Sequence, residues 1–271
     1  MKKFQESDLK LITLVFVRTI QLRLKRIMKL GFLLMVGVSM SAYSATKSWK
    51  EEVQLHDGRV IVVERYFNLG GYPTLDSRER ALLDETITFT LPESNKKISW
   101  KTEFRNDLPE PNSLGLLLLD MVGGVPYIAT SPAGCIAYNK WKRPNPPYIF
   151  FKYDGNDWKR IPLEEFPPEL VHANLMSTPD SWMLRSYYTI EQVKEQMQGR
   201  NIGVATKTIL REPVANAGGS RCGEMVPYGN GGWLGLDWFS DQPTYEACLK
   251  FCEIKSVSPQ NCPCATLFKV K

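Results

Sequence analysis

Six cysteines constrain this chain more than any other feature. Four of them lie near the end, as Cys248 and Cys252 with three residues between them, then Cys262 and Cys264 with one. On a helix the first spacing puts both sulfurs on one face, about 6 Å apart along the axis. On a strand the second does the same at roughly 6.6 Å. A helix from about Asp241–Thr244 to Lys255, followed by an extended stretch through Ala265–Val270, can therefore be bolted together by two parallel bridges, with Pro263 marking an edge position. Six cysteines allow fifteen connectivities, and a four-thiolate zinc site is the other alternative. An even number of cysteines suits a chain that works in an oxidising compartment.

The start of the chain points to the same destination. Residues 1–45 carry eight Lys and Arg against Glu6 and Asp8. From Met28 the sequence has a short basic start, an apolar run from Leu30 to about Met40, then small residues, with Ala42 and Ser44 at the positions a signal peptidase reads. We expect cleavage after Ser44, Met28 as the true start, and a periplasmic or secreted product. The apolar run is shorter than the roughly 20 residues a membrane span needs. Beyond the leader the charges nearly cancel, so the electrostatic footprint of a nucleic-acid binder is missing. The expected organisation is a leader over 1–44, a β-rich domain over 45–215, and a Gly-rich loop with a Cys-rich subdomain over 216–271.

The expected fold class is α+β and β-rich, built from antiparallel hairpins or a meander with a few helices. Asp57-Gly58 between Trp49–Leu55 and Arg59–Phe67 is a hairpin signal. Asp154-Gly155-Asn156-Asp157 between Tyr148–Tyr153 and Trp158–Ile161 is another. Glu85–Leu91 alternates Thr with Ile and Phe, and Lys97–Phe104 reads as its return strand. Leu114–Val122 reads as strand because Gly123-Gly124 follows and Val125–Thr130 is again β-like. Thr189–Gln198 has a capping box in Thr189 and Gln192. Glycine is dense in Ala217–Gly235, which reads as loop.

No catalytic motif survives inspection. His56 falls in a predicted turn and His172 stands alone, without metal-ligand spacing. We expect no cofactor and no metal. The segment Tyr138–Tyr148 is rich in cations, aromatics and prolines and reads as a stiff, largely extended loop. It is either a rigid connector whose aromatics pack on the sheet, the simpler reading, or a binding loop presenting Tyr138, Lys140, Trp141, Lys142, Arg143 and Tyr148. The aromatic cluster Trp233, Trp238 and Phe239 reads as packing beside the disulfides. The functional expectation is a non-catalytic binding protein of the cell envelope whose partner is another exported or envelope protein. The alternative is an envelope hydrolase using paired carboxylates, from Glu164 and Glu165, Asp154 and Asp157, or Asp237 and Asp241.

Two resemblances add to this reading. Over Cys248–Cys264 the pattern resembles the cysteine-stabilised α/β motif of small secreted defensin- and toxin-like proteins. The resemblance implies the pairs Cys248–Cys262 and Cys252–Cys264, and leaves Cys135 to pair with Cys222. That family's further strand cysteines are missing here, so a local staple is implied and no toxin activity. The stretch Tyr138–Pro167 is similar to one found in uncharacterised exported bacterial proteins, which implies export and a β-rich domain and no particular activity.

Overall fold

The computed structural model describes residues 45–71, 80–104, 112–180, 183–199, 203–215, 217, 222–229 and 231–269. The expected leader, its cleavage site and Gly218–Arg221 lie outside the described residues.

Two antiparallel sheets pack face to face. The first contains β1 (Ala45–Gln54), β2 (Val60–Gly70), β3 (Ala81–Thr90) and β4 (Lys97–Glu103), joined in sequence as a meander. A two-residue strand, β9 (Tyr187–Tyr188), pairs parallel to β1 at the edge. The second contains β5 (Leu114–Val122), β6 (Val125–Pro132), β7 (Ile149–Tyr153) and β8 (Trp158–Ile161). The hairpins form where turn chemistry permits them. Gly58 sits at φ 87° in the β1–β2 turn, a left-handed conformation that glycine adopts without a Cβ clash.

Alternation decides which face goes inward. On β1 the side chains of Lys47, Trp49, Glu51 and Val53 are buried and those between them are not. Val53, Val63, Ile87, Phe89, Ile98 and Trp100 meet Leu114, Leu116, Leu119, Met121 and Ile128 from the second sheet. β5 breaks the alternation, since all of Leu116–Met121 is buried. A register shift between Leu116 and Leu118 turns Leu117 and Leu118 to the opposite side. There they join Phe150, Phe166, Leu170 and Ile209 in a second apolar layer. The second sheet is thus covered on both faces, which explains the near-continuous leucine run.

The far end of the first sheet buries charge. Arg65, Glu51 and Glu85 are 2%, 0% and 2% exposed. Arg65 Nη1 donates to Glu51 Oε1 at 3.0 Å, and Arg65 Nε donates to Glu85 Oε1 at 2.7 Å. Trp49 Nε1 donates to Glu51 Oε2 at 2.8 Å, and Met176 O accepts from Arg65 Nη1. The guanidinium lies 5.2 Å from the Trp49 ring centre. Burial pushes both carboxyls above their ordinary range, against the pull of Arg65.

The helices are short. Among the described residues they are α1 (Cys135–Lys140), α2 (Ile190–Gly199), α3 (Val204–Lys207), α4 (Asp237–Ser240), α5 (Tyr245–Ile254) and α6 (Cys264–Leu267). Half of the expected capping box is present at α2, where Thr189 N donates to Gln192 Oε1. Thr244 caps α5 by accepting from Ala247 N. Among the described residues no helix is long and apolar enough to cross a membrane.

The C-terminal unit is stapled by disulfides, with a different partner element and different pairs. The chain after Cys262 forms the helix α6, where an extended stretch was expected. The bonds are Cys252–Cys262 and Cys248–Cys264, not Cys248–Cys262 and Cys252–Cys264. The cause is local. Pro263 takes helical angles, so Cys262 and Cys264 do not share a strand face. The chain turns back directly after α5, so the first returning cysteine meets the end of that helix and the second reaches its earlier turn. Cys135–Cys222 forms as expected. Ala217–Gly235 also differs from the loop reading, because β10 (Met225–Tyr228) and β11 (Gly232–Gly235) form a hairpin inside it. Val226 of that hairpin packs with Phe239 and three of the staple cysteines in a separate small core.

Candidate functional site

The segment Tyr138–Tyr148 is not the extended loop expected. Its first three residues complete α1, and the helix ends in a Schellman motif. Lys142 N donates to Asn139 O at 3.0 Å, and Arg143 N to Tyr138 O at 2.9 Å. The position after the cap, where glycine is usual, holds Lys142 at φ 63°, and Arg143 follows at φ 52°. Left-handed angles crowd the Cβ of an ordinary residue, so these two basic residues are held in a conformation that costs roughly 1–2 kcal/mol each.

Six residues of this segment were candidates for a binding surface, and the structure divides them. Tyr138, Trp141 and Tyr148 are buried. Trp141 belongs to the core between the sheets and donates from Nε1 to Asn112 O at 2.9 Å. Tyr148 packs in the second apolar layer and its hydroxyl lies 2.8 Å from Ala205 O. These aromatics support the fold, as a connector requires. Trp141→Phe, which keeps a ring and deletes the indole hydrogen bond, is expected to cost about 1–2 kcal/mol in a urea titration.

Lys142 and Arg143 go elsewhere, while Lys140 is only 5% exposed and its Nζ lies 3.5 Å from Asn112 Oδ1. All three line a groove of about 990 Å³ between α1 and the C-terminal unit. Tyr228 and Trp233 of the β10–β11 hairpin form its other wall, and among the described residues Glu224 is the one acid in the lining. Arg143 is oriented by the wall it faces. Its Nη1 donates to Gly223 O at 2.8 Å and Cys222 O at 3.0 Å, and its carbon lies 5.0 Å from the Tyr138 ring centre. Those bonds use a single nitrogen, and among the described residues Nη2 and Nε of this five-donor group have no hydrogen-bond partner. Ser258, also in the lining, has a buried hydroxyl with no partner among the described residues. A groove of this kind can hold an extended chain bearing carboxylates, with aromatic rings as its floor.

A second cavity, of about 460 Å³, lies where the β1–β2 turn meets α2 and the segment 169–174. Both histidines of the chain line it. His56 lies in the β1–β2 turn and is exposed, as its sequence position implies, but its ring is also held. Its Nδ1 is 2.8 Å from Asp120 Oδ1, and its backbone N donates to Asp120 Oδ2 at 2.8 Å. Asp120 is almost fully buried on β5, and its side chain is 4% exposed. A buried carboxylate at Nδ1 selects the tautomer with its proton there, which in the neutral ring makes Nε2 the acceptor.

No family model, curated protein or solved structure matches the chain. The similarity of Tyr138–Pro167 to exported bacterial proteins gains nothing from these comparisons and remains an expectation.

The carboxylate pairs proposed for hydrolysis are not gathered into either cavity. Glu164 and Glu165 form an exposed turn. Asp154 caps the β7–β8 turn by accepting from Asn156 N and Asp157 N. Asp237 begins α4, and Asp241 ends it. Sequence reading missed Asp120, Glu51 and Glu85, the buried acids. Strand parity would have found the last two, since Glu51 shares its face with Trp49 and Val53 and Glu85 shares its face with Ile87 and Phe89. Asp120 lies 64 residues from His56, and no local signal joins them.

Proposed function

We propose that this is an exported, non-catalytic binding protein of the cell envelope, which holds an acidic segment of another exported protein in the groove between α1 and the C-terminal unit. The observation that carries this reading is the pair Lys142 and Arg143, two successive basic residues kept left-handed at the groove. A helix C-terminus favours a cation through its dipole, but does not call for two of them in the left-handed region. Strain retained at such a place is accounted for by what the side chains reach. The surroundings agree, since cations outnumber acids in the lining and Tyr228 and Trp233 offer rings to a docked chain. Three disulfides fit a working life outside the cytoplasm.

The reading sets stability against binding. Lys142→Gly relieves the left-handed strain, and is expected to leave stability unchanged or raise it by up to about 1 kcal/mol. The same change weakens binding of a fluorescent oligoglutamate peptide, read by anisotropy at low salt. Lys142→Glu is expected to weaken it about ten-fold or more. Lys250→Glu, on the exposed side of α5, is the charge-matched control and leaves binding within about two-fold. Equal affinities for all of these variants would remove the groove as the binding surface.

A further inference from the structure

The cavity beside His56 is separate from the groove and is built differently. Its walls are mainly apolar, with Leu55, Leu170, Val193 and Met197 facing a volume of about 460 Å³. That is within the range of small-molecule sites, which combine apolar walls with a few fixed polar groups. Here the charged groups are mainly acidic, with Glu52, Asp120 and Glu169 against Lys194. In its neutral form His56 presents Nε2 as an acceptor, because Asp120 holds the proton on Nδ1. Glu52 and Glu169 also line the cavity. The carboxylate of Glu52 is fixed in place, accepting from Tyr187 Oη at 2.8 Å and from Ile190 N at 3.0 Å. The one fixed cation in the lining, Lys194, donates to Gln54 Oε1 at 2.9 Å. The cavity thus offers acceptors and negative charge around an apolar interior.

We infer that this cavity binds a small apolar molecule carrying a primary amine, with the ammonium donating to His56 Nε2 and facing the carboxylates of Glu52 and Glu169. An alcohol of the same shape keeps the hydrogen bond and loses the charge. A carboxylate of the same shape meets the like charge of Glu52 and Glu169, with Lys194 as its one cationic partner in the lining among the described residues.

The test is a titration of the intact protein with phenethylamine, phenethyl alcohol and phenylacetate, three probes of one shape, followed by amide and methyl chemical shifts. The amine is expected to bind about ten-fold tighter than the alcohol, and the carboxylate weakest. Shifts should centre on Leu55, Val193 and Met197. His56→Gln is expected to weaken the amine about ten-fold, and Glu169→Gln about three-fold, with the order of the three probes in the wild-type protein as the check that needs no variant. Phenylacetate binding as tightly as the amine would overturn the inference, as would shifts that miss this cavity or no saturable shift at all.

Discussion

Arg65→Ala is expected to lower stability by about 3–5 kcal/mol, which for a domain of ordinary stability removes much of the margin. The substitution leaves Glu51 and Glu85 buried with no cation, at positions 0% and 2% exposed. It also deletes the guanidinium that lies against Trp49 and Phe67. The loss is the cost of stranding charge, and it does not measure the worth of the ion pair. Replacing the triad as a unit separates the two. Arg65→Met combined with Glu51→Leu and Glu85→Leu is expected to recover most of the stability, because well-packed apolar side chains match or exceed buried ion pairs. Urea titrations of the single and triple variants, read by tryptophan fluorescence, check both statements.

The same triad sets a pH dependence. Burial holds the Glu51 and Glu85 carboxyls above the ordinary value of 4.5. The folded state therefore keeps their protons more tightly than the unfolded chain does. This contribution to stability is fully present below the unfolded pKa and is lost as pH rises through the folded one. Glu85→Gln keeps an oxygen to accept from Arg65 and removes the proton that titrates. Its stability is expected to fall less than that of the wild type as pH rises above the ordinary carboxylate range.

Cys135 and Cys222 carry the second large effect. They close a loop of 87 residues, and loop-closure entropy puts the bond at about 4–5 kcal/mol. Cys252–Cys262 spans 10 residues and is worth about 3 kcal/mol on the same basis. The double change Cys135→Ala and Cys222→Ala is therefore expected to cost more than Cys252→Ala with Cys262→Ala, in guanidinium titrations of each. The first bond also has a local task. Cys135 starts α1 and Cys222 leads into β10, so it joins the two walls of the groove. Asn139 Nδ2 and Arg143 Nη1 donate to Gly223 O across the same junction. Its removal is expected to weaken oligoglutamate binding even where the sheets stay folded.

What could be read from the sequence was local in origin. The Asp57-Gly58 and Asp154-Gly155 turns, and the alternation in Glu85–Leu91, specify their hairpins within a few residues. Thr244 marks the start of α5 in the same way. The misses have physical causes. α1 is six residues long and is preceded by Gly134, with no capping side chain, and its end carries Lys142 where glycine is the usual signal. The β10–β11 hairpin hides among glycines and contains Pro227. The cysteine spacing announced a staple, but the pairs depended on whether Pro263-Cys264 continued as strand or turned into helix, which the spacing does not contain. The candidate site was half legible. Lys142 and Arg143 were found by composition, while burial of Tyr138, Lys140, Trp141 and Tyr148 depended on where the second sheet lay. The meeting of His56 with Asp120 depended on the packing of β1–β2 against β5.

The central claim, a basic groove that holds an acidic partner segment, is met most directly by capture from a detergent-free envelope extract with tagged wild-type protein and the Lys142→Glu, Arg143→Glu double variant, after circular dichroism has shown both to be folded. The account predicts one exported protein with an acidic segment enriched by the wild type and lost with the variant. The same capture by both proteins, or none by the wild type, would contradict it.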